Sequence, residues 1–165
     1  MAMDSTTFLD KVDLRLVEAL MHDARLSQQA LSERLGRSPT SIARRQKALE
    51  SSGVIAGYAA NIDASKLGMG TTAHVLVTLE SQHGQTMDAF EQAIRESPSV
   101  VRCELVSGAA DYLITLAIHS LDDFARLHRE ELANLPGVAR LESSFVLKQV
   151  INRTAPERIF DAIRN

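Results

Sequence analysis

Apolar residues recur every three to four positions along the first third of the chain, a spacing typical of short amphipathic helices. The first predicted helix spans 10–22 with Asp10 as its cap, and the second lies between the cap Ser27 and Gly36. The third spans 39–52. Two short helices joined by a tight turn with a glycine form a helix-turn-helix, so the third helix is predicted to project outward as a recognition helix.

The predicted third helix has one buried and one polar face. Ile42, Gln46 and Leu49 share the inward face, while Ser38 caps the first turn and Pro39 suits the first helical position. The opposite face is basic and rich in hydroxyl groups, as a surface that enters a DNA major groove should be. We expect these residues of the face to contact DNA: Arg37, Ser38, Thr40, Ser41, Arg44, Arg45 and Lys47.

Side-chain chemistry suggests a role for each residue of this face. Arg44 is the leading candidate for a bidentate contact to guanine, and Thr40 and Ser41 can contact bases or phosphates. The other basic residues are expected on phosphates, and for Ser38 the role of helix cap outweighs a DNA contact. A solvated charged surface is the alternative for any isolated basic helix, and the preceding helix and turn are what favour DNA.

The pattern changes after residue 70, where apolar runs alternate with helical stretches. Residues 97–102 resemble residues 135–140, which indicates an internal repeat. Each half reads strand, helix, strand, and two such units in tandem predict a ferredoxin-like βαββαβ fold of the α+β class. The predicted elements are strand 73–80, a helix capped by Thr86, strand 100–107, strand 112–119, a helix capped by Ser120, and strand 139–151.

A ferredoxin-like sheet has helices on one face only, so its other face, if apolar, must be buried against another surface. We place Leu76, Val106, Ile114 and Leu116 there, and these side chains are too apolar to leave in water. A second copy of the chain is the simplest cover, which predicts a homodimer.

The predicted domains are a helix-turn-helix domain at 1–65, with a linker strand at 54–60, and a ferredoxin-like domain at 66–165. Residues 153–165 are polar and are expected to form a tail or a short helix.

Composition narrows the classes of function. Of the 165 residues one is cysteine, Cys103, which excludes an internal disulfide and a cysteine-based zinc site. The net charge of −3 is uneven, because residues 1–65 carry 8 basic and 8 acidic residues and residues 66–165 carry 10 and 13. A basic helix on a neutral domain is compatible with DNA binding. Without a signal peptide or a membrane span, a soluble cytoplasmic protein is expected, with no metal or cofactor.

Three motifs give the chain a family resemblance: Leu-Ser-Glu-Arg-Leu-Gly at 31–36, the Ser-Pro-Thr…Arg-Arg…Leu-Glu…Gly-Val-Ile pattern at 38–55, and Gly-Ala-Ala-Asp-Tyr-Leu-Ile at 108–114. With their order and spacing the chain resembles the Lrp/AsnC family of transcriptional regulators over about residues 8–155. The resemblance implies a winged helix-turn-helix domain followed by a ferredoxin-like domain. It also implies a dimer, often assembled into octamers, that senses amino acids through the C-terminal domain and is not an enzyme.

The candidate effector site is the loop between the two central strands. Gly108 lets the backbone approach a ligand closely, loop N–H groups can receive an α-carboxylate, and Asp111 can pair with an α-ammonium group. A plain turn between strands is the alternative. The resemblance implies that the site uses this loop, lies between dimers and draws on the last strand. The site residues are then Ser107, Gly108, Ala109, Asp111, Tyr112, Lys148 and Gln149.

Two departures from the family pattern keep other functions open. Gln46 stands where the family usually has an aliphatic residue, and Ala109-Ala110 replace more polar or aromatic residues. An architectural DNA-binding protein without an effector is one alternative. The other is an enzyme similar to the family's haem-precursor decarboxylases, with His74, His119 and His128 as its histidines, although the recognition helix argues for DNA.

Overall fold

The computed structural model describes residues 9–164. The chain forms two compact units, which we call the helical unit, Met1–Asn61 with Ile151–Asn165, and the sheet unit, Ile62–Val150. The sequence predicted one boundary, at residue 65, with all later residues in the second domain. In the structure, residues 151–165 belong to the first unit instead. The chain therefore leaves the helical unit once and returns to it.

The three predicted helices of the helical unit are present: α1 (Lys11–His22), α2 (Gln28–Leu35) and α3 (Pro39–Ser51). Their caps are the predicted ones, Asp10, Ser27 and Ser38. Gly36 ends α2 with φ of 62°, in the left-handed region that glycine adopts without strain. The helices enclose a small apolar core of buried side chains: Leu16, Ala19, Leu20, Leu31, Ile42 and Leu49.

The strand predicted at 54–60 is wrong. Residues 56–63 form neither helix nor strand, and the next element is a 3₁₀ turn at Ala64–Leu67. A strand exists only when its backbone pairs with a neighbour, and local β propensity cannot supply one.

The sheet unit confirms the predicted βαββαβ order. Its sheet is antiparallel, with strand order β2-β3-β1-β4, and its two helices complete the two repeats. The elements are β1 (Thr71–Leu79), α4 (Gly84–Arg95), β2 (Val100–Leu105), β3 (Tyr112–Ile118), α5 (Leu121–Glu130) and β4 (Val138–Phe145).

Two boundaries in the sheet unit differ from the prediction by three residues or more. α4 begins at Gly84 and not after Thr86, because the carbonyl of His83 already accepts bonds from the N–H groups of Thr86 and Met87. β4 ends at Phe145, six residues before the predicted end at 151, because its paired register with β1 ends there, at Ala73 opposite Phe145.

The assignment of side chains to the two faces of the sheet needs one correction. Ile114 and Leu116 belong to the core on the helix side, where they are 0% and 1% exposed. They stand opposite Val75 and Ala73 of β1, and side chains alternate between faces along a strand. Leu76 does lie on the face without helices and is 40% exposed.

The C-terminal segment, residues 151–164, is not a free tail. It ends in a 3₁₀ turn at Glu157–Phe160 and a short helix α6 (Asp161–Arg164), and both pack against α1. The short terminal helix was predicted, but its place in the helical unit was not.

Candidate functional site

Two basic side chains on the outward surface of α3, those of Arg44 and Lys47, have neither a hydrogen bond nor an ion pair within residues 9–164. Arg37, just before the helix, donates to the carbonyl of Gly36 at 3.2 Å. Arg37, Thr40, Arg44 and Lys47 are exposed. The charges of Arg44 and Lys47 are therefore available to a ligand that binds this surface.

The serines at the start of α3 have mainly a local role. The Ser38 Oγ accepts a hydrogen bond from the backbone N–H of Ser41 at 3.3 Å, as an N-cap does. Ser38 is nevertheless exposed and Ser41 half-buried, so both hydroxyls stand at the end of the helix that leads into a groove.

Arg45 points away from this surface. Its Nη1 lies 2.6 Å from Asp13 Oδ1 and 2.8 Å from Asp10 Oδ2, both at the start of α1. The pKa of Asp10 is lowered, first by the backbone N–H of Asp13 that donates to its carboxylate and also by Arg45. Arg45 thus joins α3 to α1, and the phosphate contact predicted for it conflicts with this geometry.

Gln46 is the centre of a polar network on the side of α3 that was predicted to face inward. Its Oε1 accepts a hydrogen bond from Gln28 of α2 at 2.6 Å, and its Nε2 donates to the Tyr58 hydroxyl at 2.8 Å and to Glu50 at 3.2 Å. The Tyr58 hydroxyl in turn donates to Glu50 at 2.8 Å. Burial, and next the bond to Glu50, raise the pKa of Tyr58. The Gln46 amide thus holds α3 in position by hydrogen bonds, whereas an aliphatic side chain there would do so by apolar packing.

The loop of the candidate effector site divides into an exposed and a buried part. Ser107, Gly108 and Ala109 are exposed, and Gly108 has φ of 130°, a conformation that side chains other than glycine rarely adopt. The backbone of these three residues is therefore open to a ligand.

Asp111, by contrast, is 6% exposed and holds the end of β1 in place. Its Oδ2 accepts the backbone N–H of Leu79 at 2.8 Å, and its Oδ1 accepts the Gln82 side-chain amide at 2.6 Å. Its own N–H donates to the carbonyl of Val77 at 2.8 Å. This geometry supports the alternative of a structural turn for Asp111 over the predicted contact with an ammonium group.

Tyr112 is also inside the sheet unit, at 2% exposure. Its ring centre lies 4.5 Å from that of Phe90, and its hydroxyl donates to Glu91 at 3.0 Å. Burial, followed by the bond to Glu91, raises the pKa of Tyr112 to about 12. Its side chain is a core side chain, so only its backbone remains for the predicted site.

Lys148 and Gln149 are exposed but lie at the other end of the sheet from the loop. Val146 donates to the carbonyl of Thr72, whereas Asp111 donates to that of Val77. These two anchor points are roughly 17 Å apart along β1 at ~3.3 Å per residue. One copy of the chain does not bring Lys148 and Gln149 together with the loop 107–109.

Sequence reasoning missed Gln28, Tyr58 and Gln82, whose side chains complete the contacts above. Polar residues spread over the chain share no local spacing that would reveal these contacts.

Residues 9–164 hold no group of three or more His, Cys, Asp or Glu that could bind a metal. Among the same residues, no helix has the length and apolar character needed to cross a membrane.

Two family models match this architecture. The model described as winged helix-turn-helix DNA-binding matches residues 9–56, and the Lrp/AsnC ligand binding domain matches residues 72–156. The chain belongs to the Lrp/AsnC family. It is a transcriptional regulator with a DNA-binding helix-turn-helix and a ligand-binding domain, and its relatives are regulators and not enzymes.

Individual relatives of this Lrp/AsnC regulator are transcriptional regulators as well. The Bkd operon transcriptional regulator of Pseudomonas aeruginosa is 36% identical over 148 residues, which cover 90% of this chain and 97% of the relative. The leucine-responsive regulatory protein of Klebsiella pneumoniae is 32% identical over 86% of this chain and 87% of its own. Their match along nearly the full length confirms the family predicted from the motifs.

Solved structures confirm the fold. A transcriptional regulator of Neisseria meningitidis in complex with L-methionine has a TM-score of 0.86 at 30% identity, covering 92% of this chain and 99% of its own. Escherichia coli AsnC has a TM-score of 0.82 at 22% identity, covering 89% and 97%.

Proposed function

We propose that this Lrp/AsnC regulator reads DNA with α3 and changes its DNA affinity when an amino acid binds to the sheet unit. The observation that supports the DNA half is the pair of exposed cations on α3, Arg44 and Lys47, whose side chains have no partner among the described residues. Arg44 is assigned to a guanine edge, since a guanidinium matches its O6 and N7 acceptors. Lys47 and Arg37 bind phosphates, while Thr40, with Ser38 and Ser41 at the helix start, borders the groove.

The proposed effector is an amino acid. The Neisseria relative was solved with L-methionine, and the loop 107–109 offers exposed backbone N–H groups that suit an α-carboxylate. Asp111 and Tyr112 shape this loop from inside, because their side chains are engaged in the sheet unit. An effector can alter DNA affinity only if it binds two states of the protein unequally.

We further propose that the site is shared between copies of the chain. Lys148 and Gln149 lie at the opposite end of the sheet from the loop, so a site that includes both regions requires two chains. Exposed apolar side chains on and beyond the sheet support self-association: Leu76 at 40%, Leu147 at 98% and Val150 at 82%. The proposed assembly is a homodimer, or an octamer as the family resemblance implies, in the cytoplasm. A dimer would bind two DNA half-sites whose centres are about 10 bp apart, or a multiple of this.

Calorimetric titration of the full chain with L-methionine, then with the other common amino acids, tests the effector. Lys148→Ala is expected to weaken binding, and Lys66→Ala, which changes another exposed lysine on the 3₁₀ turn at Ala64–Leu67, serves as the control. Mixing a Gly108→Val chain with a Lys148→Ala chain should restore part of the binding, because one shared site then takes both intact halves. Absence of heat with every amino acid would contradict the proposal and favour the architectural alternative.

A further inference from the structure

We propose that Phe160 is a positioning residue for DNA binding, and that the C-terminal segment holds α1 and, through α1, the recognition helix. The inference rests on the proposed role of α3 in DNA recognition. It adds a part of the chain, residues 151–164, that lies far from α3 in sequence and outside the helix-turn-helix match at 9–56.

Burial identifies the contact. Phe160 is 0% exposed and Ile163 is 9% exposed, in a stretch that is otherwise mostly polar and exposed. The 3₁₀ turn and α6 that carry them pack against α1. A fully buried phenylalanine removes a large apolar surface from water, so this contact favours one position of the segment on α1.

α1 in turn is fixed to α3 by charge. Arg45 of α3 reaches the two carboxylates at the start of α1, Asp13 at 2.6 Å and Asp10 at 2.8 Å. The same two carboxylates form the capping box of α1, with Asp10 accepting the N–H of Asp13 at 2.8 Å and Asp13 accepting the N–H of Asp10 at 3.1 Å. A displacement of α1 therefore moves the partners of Arg45, which is the neighbour of the proposed base-reading Arg44.

The connectivity gives this contact a regulatory meaning. The segment follows β4 and the residues Lys148 and Gln149 of the proposed effector site with no intervening helix or strand in the described chain. The chain thus leaves the helical unit after residue 61 and enters it again at residue 151. A shift of the chain at the end of β4 can therefore be passed along residues 151–164 to their contact with α1. This path does not involve the linker after α3.

The test compares Phe160→Ala with Ile159→Ala in the full chain. Ile159 is the adjacent residue of the same turn and is 43% exposed, so its truncation is the matched control. The probes are a duplex that the wild-type protein selects from a random library and an unselected duplex of equal length, both titrated by fluorescence anisotropy. The temperature is one at which circular dichroism shows both variants folded.

We expect Phe160→Ala to bind the selected duplex about tenfold more weakly, with a smaller loss on the unselected duplex, because non-specific binding depends on charge more than on the seating of one helix. Phe160→Leu should restore most of the specific affinity. Hydrogen exchange should quicken in α1 and stay unchanged in β1 and β3.

Equal affinities of Phe160→Ala and Ile159→Ala for the selected duplex would overturn the inference. So would an equal loss on both duplexes, since this is what simple unfolding of the helical unit produces. Arg44→Ala separates the inference from the base contact proposed for α3: if that variant binds normally while Phe160→Ala does not, the contact assigned to Arg44 fails and the positioning effect of the segment stands.

Discussion

The outer face of α3 and the loop 107–112 were both chosen from the sequence as binding surfaces, and the structure treats them differently. On α3 the principal predicted residues, Arg44 and Lys47, are exposed and without partners among the described residues. In the loop, the two residues with the most distinctive chemistry, Asp111 and Tyr112, are turned into the sheet unit and hydrogen-bonded there.

The difference has a geometric origin. A helix of regular period separates inward from outward side chains, so a polar face can be identified from spacing alone. A loop has no such period, and its polar residues first satisfy the backbone of the turn. Polar residues in a turn are therefore weaker evidence of a ligand than polar residues along one face of a helix.

Of the substitutions that test the difference between the loop and α3, the largest effect, a loss of folding stability, is expected at Asp111. Asp111→Ala should destabilise the sheet unit by about 3 kcal/mol, because the buried N–H of Leu79 and the amide of Gln82 lose their acceptor. Denaturant unfolding measures it, with Ser107→Ala as an exposed control. A stable Asp111→Ala protein that no longer binds amino acids would instead make Asp111 a ligand residue.

Arg44 is the counterpart on α3. Arg44→Ala should lose about 2 kcal/mol of specific DNA binding and relax one base position. Lys47→Ala should weaken binding to all duplexes and lower the salt dependence by about one phosphate contact. Anisotropy titrations at several salt concentrations distinguish the two, and an Arg44→Ala protein with unchanged specificity would refute the base contact.

Arg45 tests whether neighbouring arginines really have separate roles. Arg45→Ala should destabilise the helical unit by about 1 kcal/mol, since its ion pairs with Asp10 and Asp13 are only partly exposed. Thermal unfolding of the helical unit should show this loss, and the base preferences of the remaining folded protein should be unchanged. Altered base preferences with normal stability would place Arg45 in the groove after all.

The smallest effect is the acid response of Asp10. Its pKa is lower in the folded chain than in the unfolded one, so it adds stability above the unfolded pKa and loses that contribution as the pH falls through the folded pKa. Asp10→Asn should therefore reduce the difference in unfolding midpoint between pH 7 and pH 3. An identical acid response in the two proteins would show that the N–H of Asp13 and the ion pair with Arg45 do not lower this pKa enough to affect stability.

The sequence was sufficient to predict the regular elements. Caps at Asp10, Ser27 and Ser38 located three helices, and the repeat of 97–102 at 135–140 indicated the βαββαβ order of elements. Such features are local or periodic, and they predict structure without knowledge of tertiary contacts.

The features that the sequence did not predict depend on partners distant in the chain. Arg45 lies at the border of two helix faces, and only the position of α1 decides its direction. Phe160 and Ile163 are buried while Ile159 is 43% exposed, and a polar segment with so few apolar residues is too short to show which of them face a neighbour. The loop 107–112 was selected from the sequence as a candidate site, but the inward orientation of Asp111 and Tyr112 follows from the end of β1 and from α4.

Because the chain returns to the helical unit after the sheet unit, the choice of residues for a DNA-binding fragment is constrained. In chain order the sheet unit is an insertion, because residues 62–150 interrupt a helical unit made of the two ends. A DNA-binding fragment that stops at residue 61 would lack Phe160 and leave one side of α1 in water. Excision of the insertion, with residue 61 joined to residue 151 by a short flexible link, is the cut that would preserve the whole unit.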